Sequence, residues 1–208
     1  QGNACTCPSD HGTCQGKPKL KAGSRTYDAS YLQQYCENDM CVMGVPKELI
    51  RPVSLIDERN LEFFTLETSV SYNDPFDVDK ESFKFKFNVV DDHKDLVFPI
   101  KITKILIKDI EQIVGEKGGV TILGGVGDSV IVPVLINYDL AQSEEQKSLN
   151  FEINYEYTKR IKKKTLPNGT IEYDFVLERS DYSKKFSTKI VFVESSQAVV
   201  PKAKPSDT

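Results

Sequence analysis

Apolar and polar residues alternate strictly from Phe83 to Val89, a stretch that reads Phe-Lys-Phe-Lys-Phe-Asn-Val. Successive side chains of a strand point to opposite faces, so this period of two predicts a half-buried strand with its phenylalanines towards a core. A β-branched run (Phe98–Ile107) and a glycine-interrupted run (Val120–Asn137) follow it. The region therefore predicts several strands that pack against one another.

The same alternation returns near the C-terminus. Leu149–Lys164 alternates, Ile171–Glu178 alternates again, and Asn168-Gly169 lies between the two runs. An Asn-Gly pair between alternating runs is the strongest short-range signal for a β-hairpin, because such turns favour positive φ. This part of the sequence predicts a long hairpin.

About seven strands with regularly spaced turn signals and almost no helical periodicity indicate an all-β protein. We expect an antiparallel, immunoglobulin- or fibronectin-like β-sandwich with a cysteine-rich N-terminal extension. The alternation also predicts which large side chains form the core: Phe83, Phe85, Phe87, Ile153, Tyr155, Phe175, Ile190 and Phe192. It predicts that Lys84, Lys86, Glu152 and Asp174 are exposed.

Four segments are expected. Residues 1–45 form a coil-like, cysteine-rich head in which 28–36 is a candidate short helix, and residues 46–60 form a connector. Residues 61–194 form the β-sandwich, and residues 195–208 form a flexible tail that contains two prolines.

All five cysteines lie within the first 41 residues. In an oxidising compartment they would form disulfides, and in the cytosol the same set with His11 could hold zinc. Because the spacings lack the paired C-x2-C units of zinc ribbons, we favour two disulfides and predict that they use Cys7, Cys14, Cys36 and Cys41. Cys5 is then the odd cysteine, either lipid-modified, free or bridged to another chain.

The formal net charge of −4 argues against a nucleic-acid-binding protein, which needs a basic face. No apolar run approaches the ~20 residues that a membrane-spanning helix requires. A local exception to the acidic balance is the basic run of Lys159, Arg160, Lys162, Lys163 and Lys164 in the predicted hairpin. Such a run is either a solvated arm or a contact for an acidic partner.

Two acidic turns are weak calcium candidates, since calcium prefers oxygen-rich loops. Their carboxylates belong to Asp74, Asp77, Asp79, Asp91, Asp92 and Asp95. The turns lack the D-x-[DN]-x-[DN]-G loop of known calcium sites. The tyrosines of the late strands, Tyr155, Tyr157 and Tyr173, extend this alternative to a carbohydrate-binding module.

The strand from Phe83 to Asn88, the Phe98-Pro99-Ile100 strand and the Thr121-Ile122 to Val132-Pro133-Val134 stretch resemble the late-embryogenesis-abundant water-stress and hypersensitive-response (WHy) domain. The resemblance covers roughly residues 61–193. It departs from the family where an Asn-Pro-Asn turn is replaced by Val90-Asp91-Asp92-His93. It implies a fibronectin-like sandwich without an active site, with structural or adaptor roles and frequent export or lipid anchoring in bacteria.

No nucleophile with a base, paired acid and base, or phosphate-binding loop lies on this framework, so an enzyme is not expected. We expect a non-enzymatic, exported structural or adaptor protein without a cofactor, located in the periplasm, at the outer membrane or outside the cell. Its partners would be other protein subunits, and a lipid on Cys5 would be its one route to a membrane.

Overall fold

The computed structural model describes residues 2–6 and 8–197 and is nearly all-β. Two four-stranded antiparallel sheets make up most of it. The first sheet has the order β10 (Gln112–Leu123), β9 (Leu96–Asp109), β13 (Leu149–Thr165), β14 (Ile171–Lys185). The second has the order β11 (Ser129–Leu135), β8 (Ser82–Asp92), β6 (Phe64–Asp74), β5 (Arg51–Asn60).

Three small sheets surround these two. One pairs β1 (Lys19–Ala22) with β2 (Arg25–Asp28), and another joins β3 (Gln33–Glu37), β4 (Met40–Gly44) and β16 (Ser196–Gln197). The third joins β12 (Glu144–Lys147), β15 (Ile190–Val193) and β7 (Phe76–Asp77), with β15 and β7 parallel. Within the described residues, the helical elements are one α-turn, α1 (Pro8–His11), and a 3-10 turn at Lys47–Leu49. Among the described residues, no helix is long and apolar enough to cross a membrane.

The core lies between the two large sheets and is rich in aromatic side chains. Phe83, Phe85 and Phe87 are fully buried on β8, as the alternation predicted. The ring of Phe85 meets that of Phe151, on the opposite sheet, edge to face with centroids 5.4 Å apart. Edge-to-face pairs add to the stabilisation that comes from burying apolar area.

Polar contacts also tie the two sheets together along their β5 and β14 edges. The hydroxyl groups of Thr68 and Tyr182 share a buried hydrogen bond. Lys184 donates to the buried carboxylate of Asp57 over 2.9 Å, and Arg59 donates to the same carboxylate over 3.0 Å. This buried charge is therefore paired twice, which offsets the cost of removing it from water.

The head packs on the rest of the chain. Leu20 and Leu32 lie in a small apolar cluster with Val191 and Val193 of β15. The carboxylate of Glu144 accepts hydrogen bonds from the three successive backbone N–H groups of residues 30–32, over 2.9 to 3.2 Å.

Several expectations need correction. Phe175 is 65% exposed rather than buried, and Glu152 is half-buried because it pairs with Lys108. Residues 51–60 form β5, which pairs along ten positions with β6, instead of a connector. Residues 28–36 contain the end of β2 and the start of β3 rather than a helix. Residues 198–208, most of the expected tail, lie outside the described part.

Replacing Phe85 with Ala should lower the free energy of unfolding by about 3–5 kcal/mol, since it removes a large, fully buried side chain. Phe175→Ala is the matched control and should change it by less than about 0.5 kcal/mol. Urea titration followed by circular dichroism measures both. Equal losses would show that the assignment of core and solvent positions is wrong.

Asp57 should make stability depend on pH. Burial alone would raise the pKa of Asp57, but hydrogen bonds from Lys184 and Arg59 outweigh it and hold the pKa below its usual range. The stabilisation is therefore present above the ordinary carboxyl pKa of about 4 and is lost as pH falls through the lower folded-state value.

Asp57→Asn should cost about 1–3 kcal/mol at pH 7, and this difference from wild type should shrink as the pH falls below about 4. Urea titrations at a series of pH values measure it. Asp92→Asn, at an exposed position, is the control. A constant difference between Asp57→Asn and wild type across that range would contradict the assignment.

Candidate functional site: a projecting hairpin

The structure gives the acidic turns structural partners. Asp77 accepts hydrogen bonds from the Ser195 hydroxyl group and from the Asp79 backbone, and Asp74 accepts one from the Val191 backbone over 3.1 Å. Asp95 pairs with an arginine of the hairpin described below. Among the described residues, potential metal-ligand atoms converge in groups of three only at cysteines. Among the described residues, the carboxylate oxygens of the acidic turns therefore do not converge as a calcium site requires.

The cysteines form two disulfides, Cys5–Cys36 and Cys14–Cys41, with Cα–Cα distances of 5.7 and 5.6 Å. The number of bonds agrees with the sequence prediction, but the choice of Cys5 as the odd cysteine was wrong. Cys7 lies outside the described residues. A cysteine whose sulfur is in a disulfide cannot carry a thioether-linked lipid, so the proposed lipid anchor on Cys5 is also corrected.

The two disulfides join the N-terminal segment to a single small hairpin. Cys36 and Cys41 face each other across β3 and β4, and each bonds to a cysteine of the first 14 residues. The sulfur atoms of Cys5, Cys14 and Cys36 consequently lie within 4.8 Å of one another. This arrangement holds a segment that has little apolar surface of its own.

The feature that the fold does not explain is the far half of the β13–β14 hairpin. β9 pairs with β13 from Asp109 to Leu96, where β9 begins, and its last partner is Lys159. Residues 160–165 of β13 continue with β14 as their only partner strand among the described residues. At about 3.3 Å per residue, this two-stranded ribbon extends roughly 20 Å beyond the sheet.

A short loop closes the ribbon. The N–H of Gly169 donates to the carbonyl of Leu166 over 2.9 Å, and the N–H of Leu166 donates to the carbonyl of Thr170 over 2.7 Å. Gly169 has a φ of 84°, which glycine adopts without steric cost. Asn168 does not share that positive φ, so the loop is longer than the two-residue turn that the Asn-Gly pair suggested.

The basic run is largely neutralised within the hairpin. Lys159 pairs with Glu178 at 2.9 Å, Lys163 with Asp174 at 3.2 Å, and Lys164 with Glu172 at 3.2 Å. The hydrogen bond to Glu178 raises the pKa of Lys159. Cross-strand pairs of opposite charge stabilise a β-ribbon modestly.

Arg160 anchors the base of the ribbon. Its Nε atom lies 3.0 Å from the Asp95 carboxylate, and its guanidinium lies 5.1 Å from the ring centroid of Tyr173. Of the five cations, Lys162 is the one without an ion pair in the described structure. The basic run is therefore mostly engaged in ion pairs within the chain, and its role as a contact for an acidic partner stays a prediction.

An apolar strip is the feature that sequence reasoning missed. Phe175 and Leu177 are 65% and 51% exposed and lie on one face of β14 with the half-buried Tyr173. Ile161 and Ile171 are also exposed in the ribbon. The alternation of β14 was visible in the sequence, but it does not show where the core ends.

The tyrosines proposed as a carbohydrate platform separate into two groups. Tyr155 and Tyr157 are buried in the core, where burial raises the pKa of each, and their rings pack against Phe64. Tyr173 alone lies on the ribbon. The three rings therefore do not form one exposed surface.

Comparisons with known protein families, with characterised proteins and with solved structures find no match. The function is therefore argued from the geometry of the hairpin.

Peptide mapping without reduction should recover linked peptides that join Cys5 to Cys36 and Cys14 to Cys41. The replacement Cys14→Ser should destabilise the head by about 2–5 kcal/mol, because it opens a long loop. Limited proteolysis of the first 45 residues measures that loss, and Thr13→Ala, at an exposed position in the same segment, is the control. Recovery of Cys7 in place of Cys5 in a linked peptide would contradict the pairing.

Proposed function

We propose that this chain is a non-enzymatic structural or adaptor protein of an extracytoplasmic assembly and that the β13–β14 ribbon is its contact element. One observation carries the proposal: Phe175 is exposed where the strand pair passes the end of β9, and Leu177 is exposed on the same face, two residues nearer the core. A two-stranded ribbon with exposed apolar side chains is a marginal structure in water and gains stability when a partner covers it.

The disulfides support an oxidising compartment, since such bonds persist outside the cytosol. We propose an extracytoplasmic location on this basis, in the periplasm or outside the cell. The proposed partners are other protein subunits, and neither nucleic acid nor a cofactor is part of the proposal.

The ribbon suits protein recognition for a second reason. β14 is the edge strand of its sheet, and among residues 2–6 and 8–197 no strand pairs with its outer side. Edge strands present unpaired N–H and C=O groups that another chain can use to extend the sheet.

The two large sheets also support membership in the immunoglobulin- and fibronectin-like sandwiches, although they contain eight strands rather than seven. The likeness to the WHy domain stays a hypothesis that rests on the motifs between Phe83 and Val134. The alternative of a calcium- or carbohydrate-binding module has no supporting observation in the described structure.

A photoreactive amino acid at position 175 tests the contact in the cells that produce the protein. Because Phe175 lies at the proposed contact, irradiation should give a discrete cross-linked band, which mass spectrometry can identify. A probe in place of Lys84, on the exposed face of β8, is the control and should give none.

Cross-linking should weaken at least about fivefold when Leu177→Ser is added to the chain with the probe at 175, because the substitution removes exposed apolar area. No band at position 175, or equal bands at both positions, would contradict the contact.

A further inference from the structure

The sheet that carries the ribbon has a second open edge, at β10. β10 pairs with β9 on one side, and among the described residues its backbone is paired on the other side only at Val114 and Gly115, with Asn137 and Ile136. Residues 116–123 therefore leave a free edge within the described structure. Val120 and Ile122 are 59% and 60% exposed there.

The two open edges expose apolar side chains on the same face of the sheet. Four directly paired residues form one row across the sheet. In strand order from β10 to β14 they are Ile122, Lys101, Glu156 and Arg179. Directly paired residues share a face, and so do residues two apart along a strand. Phe175 and Leu177, four and two residues before Arg179, therefore lie on the face that carries Ile122.

The ribbon and the β10–β11 segment carry opposite net charge, while residues 116–123 at the free edge have one carboxylate and one cation and are neutral. Residues 159–179 of the ribbon have six cations and three carboxylates, a net charge of +3. Residues 109–139, which contain β10 and β11, have five carboxylates and one cation, a net charge of −4. Adding the ion-pair partners Asp95 and Glu156 to residues 159–179, and Lys104 and Lys147 to residues 109–139, leaves net charges of +1 and −2.

Strand direction allows the two edges to join. The order β10-β9-β13-β14 is antiparallel throughout, so β14 and β10 run in opposite directions. A second copy placed beside the first in the same orientation brings its β10 antiparallel to β14. The register shift between Gly118 and Thr121 interrupts regular backbone pairing. Much of the contact between the two copies therefore has to come from the side chains of Val120 and Ile122.

We infer that copies of this chain associate head to tail, with β14 of one copy against β10 of the next. This inference rests on the proposed contact role of the ribbon and names its partner as a second copy. The contact is heterologous, because two different surfaces meet, so each copy keeps one edge free for a further copy. Three observations favour a second copy as the partner. They are the apolar side chains on one face, the opposite net charges and the opposed strand directions.

Sedimentation velocity over a range of concentrations tests the inference with two variants. The ribbon variant is Phe175→Ser with Leu177→Ser, and the edge variant is Val120→Ser with Ile122→Ser. All four side chains are exposed, so thermal unfolding should show unchanged folds. Met40→Ser, at an exposed apolar position in the head, is the control.

Wild type and Met40→Ser should form species larger than a dimer as concentration rises, and raised salt should weaken them modestly because the ribbon and the β10–β11 segment carry opposite net charge. Each double variant alone should associate at least about tenfold more weakly. An equimolar mixture should form a dimer of one ribbon variant and one edge variant and nothing larger, because each copy retains one intact edge.

A monomeric wild type at all concentrations would overturn the inference, as would a mixture of the two variants that does not form the dimer. If wild type is monomeric while the probe at position 175 still cross-links another protein, the head-to-tail contact is wrong and the contact role of the ribbon stands. If cross-linking fails as well, both are wrong.

Discussion

Strand β13 extends past the end of its neighbour β9, and the projecting ribbon exists because of this extra length. Its first eleven residues lie between β9 on one side and β14 on the other. There the inward positions bury Phe151, Ile153, Tyr155 and Tyr157. Once β9 has ended, β13 continues through residues 160–165, and the alternation of its partner β14 continues at Tyr173 and Phe175 without a core to face. A period of two specifies faces, but only neighbouring elements decide whether a face is buried.

The ribbon must therefore be held together by its own contacts. Three cross-strand ion pairs link it, and Arg160 ties its base to Asp95. Exposed ion pairs each contribute less than about 1 kcal/mol, so they align the two strands more than they stabilise them. The same pairing removes most of the free charge, which leaves Phe175 of the ribbon and the neighbouring Leu177 as the side chains best suited to add binding energy.

The sequence predicted the parts of the fold that follow from local pattern. β8, its buried phenylalanines and the long hairpin follow from alternation and the Asn-Gly pair. Strand β5 escaped prediction because one of its inward positions is a charged residue, Asp57, whose burial depends on Lys184, 127 residues away. The head escaped prediction for a similar reason: Glu144 binds backbone groups 112 to 114 residues distant. Cysteine pairing is equally non-local, and spacing alone did not show that Cys5 bonds to Cys36.

The central claim is that the ribbon is not stabilised by the core. Hydrogen exchange in dilute, monomeric protein is the most direct test of this claim. Amides exchange by local opening where few buried contacts hold them and by global unfolding in the core. The account predicts that the amides of residues 161–165 and 171–175 exchange at least about a hundredfold faster than those of residues 151–157. Equal protection of the two groups would show that the fold itself stabilises the ribbon, and the central claim would be wrong.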